Sequence, residues 1–460
     1  MRSLVALSFA LSAAVASAAR TEVVSKVGGL GQGNVTAAFQ REIDALAASG
    51  GGTLRIPAGE YVVASLRLRS GITLHLERNA FVYGSTNASE YVNYVNTGDN
   101  IASVIQAEEA ENVAVEGEGV VDGRGWFHKR VKLGQDGHHY IEQGRNDLYF
   151  HNCRGVRVEG VTLRCASSWC CFFRDCDGVV ARKVRIWSHM NPSNDGFDIE
   201  SRNVLIEDCD IDTEDDSLVL KAREPDCLVE NVTVRRCRLS TVAEHIKIGT
   251  ETLGTVRNVL IEDCDVACRT PAHKNAWEHI PGVQATQAAL SGISLFLMDG
   301  GRVEDVTIRN IALGEGLCTP ICIRYGDRKP RLAEGKGYFR NVLIENVKMS
   351  VPSVSYVACS VTGLPEMRPQ NIVFRNVDLI LKGGGRAKDA AVRITEEHPK
   401  RYPTPYHVFE TMFPAYAFYL RHADNVRFEN VRVRVMDPEE ARPPVLADDA
   451  TYEERECQWK

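Results

Sequence analysis

The chain has 460 residues, with 54 Lys and Arg against 61 Asp and Glu and a formal charge of −7 at pH 7. The charges are spread along the sequence with no basic block, which argues against nucleic acid as a partner. A hydrophobic fraction of 44% with 25% charged residues is that of a soluble globular chain with a sizeable core, and it excludes intrinsic disorder.

The N-terminus opens with Met1 and Arg2, an apolar stretch from Leu4 to Val15, and the small residues Ala16, Ser17 and Ala18. This is the pattern of an export leader with an A-x-A cleavage site, too short for a spanning helix. Residues 1–18 are therefore expected to be a signal peptide, and the mature chain to be secreted or periplasmic with no membrane span. Fourteen cysteines in an exported chain permit disulfides. No C-x-x-C pair occurs, and the vicinal Cys170 and Cys171 lack metal-ligand spacing, so no metal site is expected.

Thr36 to Ala48 carries Phe39, Ile43 and Leu46 on one helical face, and Gly50-Gly51-Gly52 and the strand-like TLRIPAGEY follow. Farther on, one phrase keeps returning: NVLIEDCDI from Asn203, NVTVRRCRL from Asn231, NVLIEDCDV from Asn258, NVLIENVKM from Asn341, NIVFRNVDL from Asn371 and NVRFENVRV from Asn425. Related copies begin at Gly155, Gly178 and Asp305, and the tightest steps are 23, 25, 28 and 27 residues. A period of this size means a solenoid. Aliphatic and polar residues alternate in each copy and β-branched types dominate, so the unit is built of short strands. The Leu-x-x-Leu-x-Leu frame of leucine-rich repeats is missing, which leaves an all-β parallel β-helix with equivalent strands stacked ~4.8 Å apart.

The early helix then caps the open end of the solenoid, where strand edges are otherwise unpaired. Residues 19–436 are expected to form one domain, with 19–110 as the cap and first coils. The polar, proline-containing stretch 437–460 is expected to be a loosely attached tail. An insertion from Cys268 to Ala289, with His273, Trp277 and His279, is placed to form a binding wall. Cys209, Cys237 and Cys264 share one repeat position and are expected to be a column of buried thiols rather than a bridge.

Three segments share a hydrophobic cadence: Asp195-Gly-Phe-Asp-Ile199, Asp216-Ser-Leu-Val-Leu220 and Glu244-His-Ile-Lys-Ile248. If Phe197/Ile199, Leu218/Leu220 and Ile246/Ile248 point inward, Asp195, Asp216 and Glu244 form one column and Asp198, Val219 and Lys247 a second, outward one. Asp215 adds a further carboxylate. Stacked like charges repel and push their pKa values apart, so a purely structural solenoid would gain from Asn or Thr there. Glycosidic bond cleavage does need such a cluster, with one carboxyl group protonated and another ionised.

At these residues the chain resembles glycoside hydrolase family 28, the polygalacturonase family of right-handed parallel β-helices. The likeness begins at the helix and GGGTLRIPAGEY, continues through VVDGRGW, and is strongest in SNDGFDI, EDDSLVLK and HIKIGTE. It implies a secreted glycosidase that cleaves galacturonate-containing, pectin-type polysaccharide with inversion and without a cofactor. By resemblance Asp215 is the general acid, and Asp195 with Asp216 activates water.

Two departures stand out. The family's Gly-His-Gly histidine is replaced in register by Glu244, with His245 one residue away, so both are candidates; a glutamate there is similar to rhamnogalacturonan-hydrolysing members. The Arg-x-Lys motif that holds substrate carboxylate falls on Ser294 and Phe296. Lys221, Lys247 and Arg324 are the substitute cations. The expected partner is a polysaccharide or oligosaccharide, acted on by a monomer. A calcium-dependent polysaccharide lyase and a non-catalytic glycan-binding solenoid are the competing readings.

Overall fold

The computed structural model describes residues 21–29, 31, 33–93, 102–128, 131–133, 139–141, 144–189, 193–272, 277–326, 328, 337–394 and 412–460. The expected signal peptide lies outside them, as does His273. No helix among the described residues is long and apolar enough to cross a membrane.

The repeat phrase has a backbone cause. Its first residue sits at a corner with positive φ: Asn203 at 55°, Asn231 at 56°, Asn258 at 53°, Asp305 at 57°, Asn341 at 59° and Asn425 at 54°, with Gly155 and Gly178 in the early copies. Only Gly, and to a lesser degree Asn and Asp, adopts this conformation readily. The corner amides then bond along the solenoid, Asn231 Nδ2 to Asn203 Oδ1 at 2.9 Å and Asn371 Nδ2 to Asn341 Oδ1 at 3.1 Å. The aliphatic residues that follow point inward, and Val204, Val232 and Val259 pair rung upon rung.

Parallel pairing of this kind joins thirty strands into one continuous ladder, a parallel β-helix. The exception is an antiparallel pair, Val131–Leu133 with His139–Ile141. One apolar core runs the length of the solenoid. The helix Thr36–Ala48 seals its N-terminal end, burying Phe39, Ile43 and Leu46. All fourteen cysteines are free thiols, and in the expected column the Cys209, Cys237 and Cys264 sulfurs reach the carbonyls of Glu207, Arg235 and Glu262 at 3.2–3.4 Å.

The expectation of a loose C-terminal tail is corrected. Val445–Arg455 pairs in parallel with Phe418–Val435, Gln458–Trp459 pairs with the same strand, and the Trp459 ring meets Phe428 edge-on at 5.7 Å. The segment reads as polar because a last rung has solvent beyond it, not because it is detached.

Connections at one edge of the solenoid decide where function sits. Between the strands they run 85–101 and 123–144 in the early coils, only 165–170, 189–196, 214–217 and 241–243 in the middle, then 267–288, 314–316, 350–358 and 382–417. The middle of that edge is therefore the low floor between longer segments. The described part of 267–288 is tied to the floor by Trp277, whose Nε1 donates to the Val242 carbonyl at 2.5 Å. Ile280, Val283 and Leu290 pack with Val357, Phe413 and Tyr419 into a second apolar cluster that stiffens this wall.

Candidate active site

The three strands pair in the register their hydrophobic cadence predicts. Phe197 faces Leu218 and Ile199 faces Leu220; on the next rung these face Ile246 and Ile248. Asp195 and Asp216, in the short connections of the floor, and Glu244, the first residue of its strand, stand on successive rungs. The Asp216 carbonyl accepts from Gly196 N, and the Glu244 carbonyl from Ser217 N.

Asp195, Asp215 and Asp216 each offer a carboxylate oxygen within 4.8 Å of the others. Two acceptors at that separation can be spanned by one water with ordinary bonds of about 2.7–2.8 Å. Asp195 and Asp216 are buried, whereas Asp215 is partly exposed. Asp215 is held by backbone alone, Oδ1 accepting from Asp216 N and Oδ2 from Ser193 N, both at 2.9 Å.

The second column does not face solvent, as the alternation of strand residues had suggested. Asp198 and Lys247 are as buried as the first column, because the chain turns between Asp195 and Phe197 and brings both columns to one place. Lys221 Nζ lies 3.2 Å from Asp195 and 2.8 Å from Asp198. Lys247 Nζ lies 2.7 Å from Asp216 and 3.4 Å from Glu244. Both lysines thus bind the protein's own carboxylates.

Burial pushes Asp195 well above the usual carboxylate range, with Lys221 opposing and Asp198, Asp215 and Asp216 adding to the shift. Burial likewise raises Asp215, helped by the charge of Asp216 and opposed by Lys247. Burial lifts Asp198 to about 7 against the pull of Lys221. The carboxyls titrate as a group, and protons belong to the cluster. Within it, Asp195 and Asp216 each have an ammonium partner, and Asp215 has none among the described residues.

His245 takes no part in this cluster. While Glu244 meets Lys247, the buried His245 ring uses Nδ1 to donate to the Ser291 carbonyl at 2.9 Å. Burial lowers its pKa to about 4, which keeps it neutral. Arg324 is also remote. It is fully buried two rungs beyond Glu244's strand and opposite Phe296, and its Nη1 lies 3.4 Å from Thr362 Oγ1.

Three features escaped the reading of the sequence. Trp169 presents its ring 3.8 Å from Lys221 Nζ and stands edge-on to Phe172, forming an aromatic shelf beside Asp195. The register with SNDGFDI could have found it, since it lies one rung before Asp195. Glu251 is raised by burial but pulled down to about 2 by Lys221, Arg328 and Lys247. Where Ser294 and Phe296 stand, Phe296, Met298 and Cys322 make a small buried apolar cluster.

The sequence profile of Glycosyl hydrolases family 28 matches residues 49–398. The chain belongs to this family. An endo-polygalacturonase of Pectobacterium carotovorum is 26% identical over 266 residues, 53% of this chain and 62% of that one. A protein of Aspergillus oryzae named probable rhamnogalacturonase A is 21% identical over 286 residues, 56% of this chain and 55% of its own. The chain thus spans about three fifths of the length of these relatives. In fold it is similar to a hyperthermoactive exopolygalacturonase from Thermotoga maritima, with a TM-score of 0.65 and 21% identity over 90% of this chain and 91% of that one.

Proposed function

We propose that this family 28 protein is a glycosidase that hydrolyses the galacturonate-containing backbone of pectin-type polysaccharides, acting outside the cytoplasm. The observation that carries the reading is the division of labour among three adjacent carboxyls: Asp195 and Asp216 carry ammonium partners, and Asp215 carries none among the described residues. The two lysine-paired groups hold the attacking water between them. Asp215, raised by burial yet partly exposed, protonates the leaving glycosidic oxygen. As the bond breaks, positive charge grows on the sugar ring and the buried carboxylates stabilise it, while one of them takes the proton of the attacking water. The Trp169 face supplies a surface for a pyranose ring.

The stereochemical course rests on the family resemblance. The cluster's closest oxygens, within 4.8 Å, are nearer than the ~6.5–9.5 Å carboxyl separation of many inverting sites. Ser294 and Phe296, both fully buried, supply no cation where the family's clamp would stand, so the carboxylate of a uronate has no such partner on that side.

Homogalacturonan and rhamnogalacturonan should be digested in parallel with chelator present, following reducing ends, unsaturated-product absorbance and the first-formed anomer by NMR. The expected result is saturated products of inverted configuration, with Asp215→Asn and Asp216→Asn each losing about 10²–10⁴ of the rate. Chelator-sensitive unsaturated products would establish a lyase instead. Binding with no new reducing ends would establish a glycan-binding solenoid.

A further inference from the structure

A second charged locus lies on the same edge, in the coils before the acids. Arg145 is only 7% exposed. Among the described residues its one side-chain hydrogen bond runs from Nη1 to the carbonyl of its own neighbour, Gly144, at 2.9 Å, and its Nε has no partner. No carboxylate among the described residues pairs with it; its guanidinium lies instead over the Tyr91 ring at 4.9 Å. A buried cation is normally matched by an anion, because desolvation is otherwise uncompensated.

The described neighbours do not supply that anion. Glu90 is engaged by Ser85 Oγ and by Asn34. Asp122 is ion-paired to Arg164 Nε at 2.6 Å. Asp147 is fully buried, and burial together with Asp122 pushes its pKa well above the carboxylate range, which disfavours its anion. His128, edge-on to Tyr91 at 5.5 Å, bonds the Ser85 carbonyl through Nε2 and is held neutral by burial. A second cation, Arg124, stacks on Tyr83 at 4.3 Å and has no ion pair among the described residues.

The position relates directly to the acids. Leu148 N donates to the Cys170 carbonyl and Cys170 N to that of Asp195, so the strand of Arg145 lies two rungs from Asp195, on the order of 10 Å along the axis. The Arg145 carbonyl also accepts from Ser167 N and Ser168 N, immediately before Trp169 and its contact with Lys221. A pyranose advances a glycan by about one rung. A chain seated on the acids and the Trp169 shelf therefore reaches Arg145 two sugars farther on.

We propose that Arg145, with Arg124 beside it and Tyr91 and Tyr83 as walls, is a distal subsite for a carboxylate-bearing sugar of the substrate. A uronate carboxylate would engage the free edge of the Arg145 guanidinium and provide the missing counter-charge. The subsite rests on the reading of the acids as a pectin-type hydrolytic centre, and it adds recognition of a uronate away from the bond that breaks.

The test is calorimetric binding in an Asp215→Asn background, which prevents turnover. The probes are oligogalacturonides and rhamnogalacturonan oligosaccharides, each of two and of five residues or more, both native and with carboxyls reduced to alcohols. The parent should bind the longer native ligands more tightly than their reduced forms. Arg145→Gln should lose on the order of tenfold for long native ligands and little for short or reduced ones. Arg124→Gln, a half-exposed position, should show the same pattern more weakly and serves if Arg145→Gln does not fold. The proposal is overturned if the variants keep the full preference, or lose affinity equally for native and reduced ligands. If the parent binds none of the uronides, the hydrolase reading itself fails and the subsite with it, a result distinct from a parent that binds and variants that do not differ.

Discussion

Two columns run along this solenoid at the same rung spacing, and they obey opposite rules. At the corners, Asn203, Asn231 and Asn258 form a neutral amide ladder in which each side chain donates to the one before. At the active edge, Asp195, Asp216 and Glu244 occupy successive rungs with like charges, and two lysines are buried among them to hold the stack together. The ladder is what backbone geometry selects. The acidic column works against the fold and stands only with compensation, and such local conflict marks a functional site.

The sharpest way to break the comparison is to remove the compensation. Lys247→Met leaves Asp216 and Glu244 buried without their ammonium, and losing one member of a buried ion pair typically costs about 3–5 kcal/mol. The variant should unfold at markedly lower urea concentration and lose its catalytic activity. The double variant Lys247→Met with Asp216→Asn should regain much of the stability and none of the activity. If Lys247→Met is as stable as the parent, the lysine does not stabilise the column.

The two columns also differ in how much the sequence told. The ladder was legible because one local requirement, a positive φ, repeats and selects Asn, Asp or Gly each time. The register of the acids was legible for a related reason, since apolar pairs at Phe197/Ile199, Leu218/Leu220 and Ile246/Ile248 admit one alignment. What stayed hidden depends on the turn before each strand. Alternation alone sent Asp198 and Lys247 away from Asp195, whereas the bend at Gly196 brings them together. His245 and Arg324 were chosen for residue type and nearness in sequence, but facing and depth remove both from the cluster. Trp169 and Arg145 were missed because their roles come from neighbours in other coils.

A milder probe is pH, which the amide ladder ignores and the acidic column does not. Burial raises Asp198 from its ordinary 3.8 to about 7, so between those values the folded protein binds a proton that the unfolded chain has released. Stability then falls with rising pH across that window, the reverse of an arginine-paired carboxylate such as Glu207, which Arg235, Arg236 and Arg182 hold low against its desolvation. The contribution from Asp198 is fully present below about pH 4 and lost as pH passes 7. Urea midpoints measured from pH 4 to pH 8 should decline less in Asp198→Asn than in the parent. Equal slopes would place the proton elsewhere in the cluster.

The smallest effect belongs to the ladder itself. Asn258 is exposed, sits at φ 53°, and donates Nδ2 to Asn231. Alanine there loses the side-chain bond and must hold a left-handed conformation that costs an L-residue roughly 1–2 kcal/mol. Glycine loses the same bond but adopts the corner freely, at the expense of a more flexible unfolded chain. Asn258→Ala should therefore be the less stable of the two by about 1 kcal/mol, and both should keep full activity on the substrate that Asp215→Asn abolishes. The order of the two variants, read from urea midpoints, separates the corner's backbone demand from its hydrogen bond. If glycine proves as costly as alanine, the amide ladder and not the turn conformation fixes asparagine at this position.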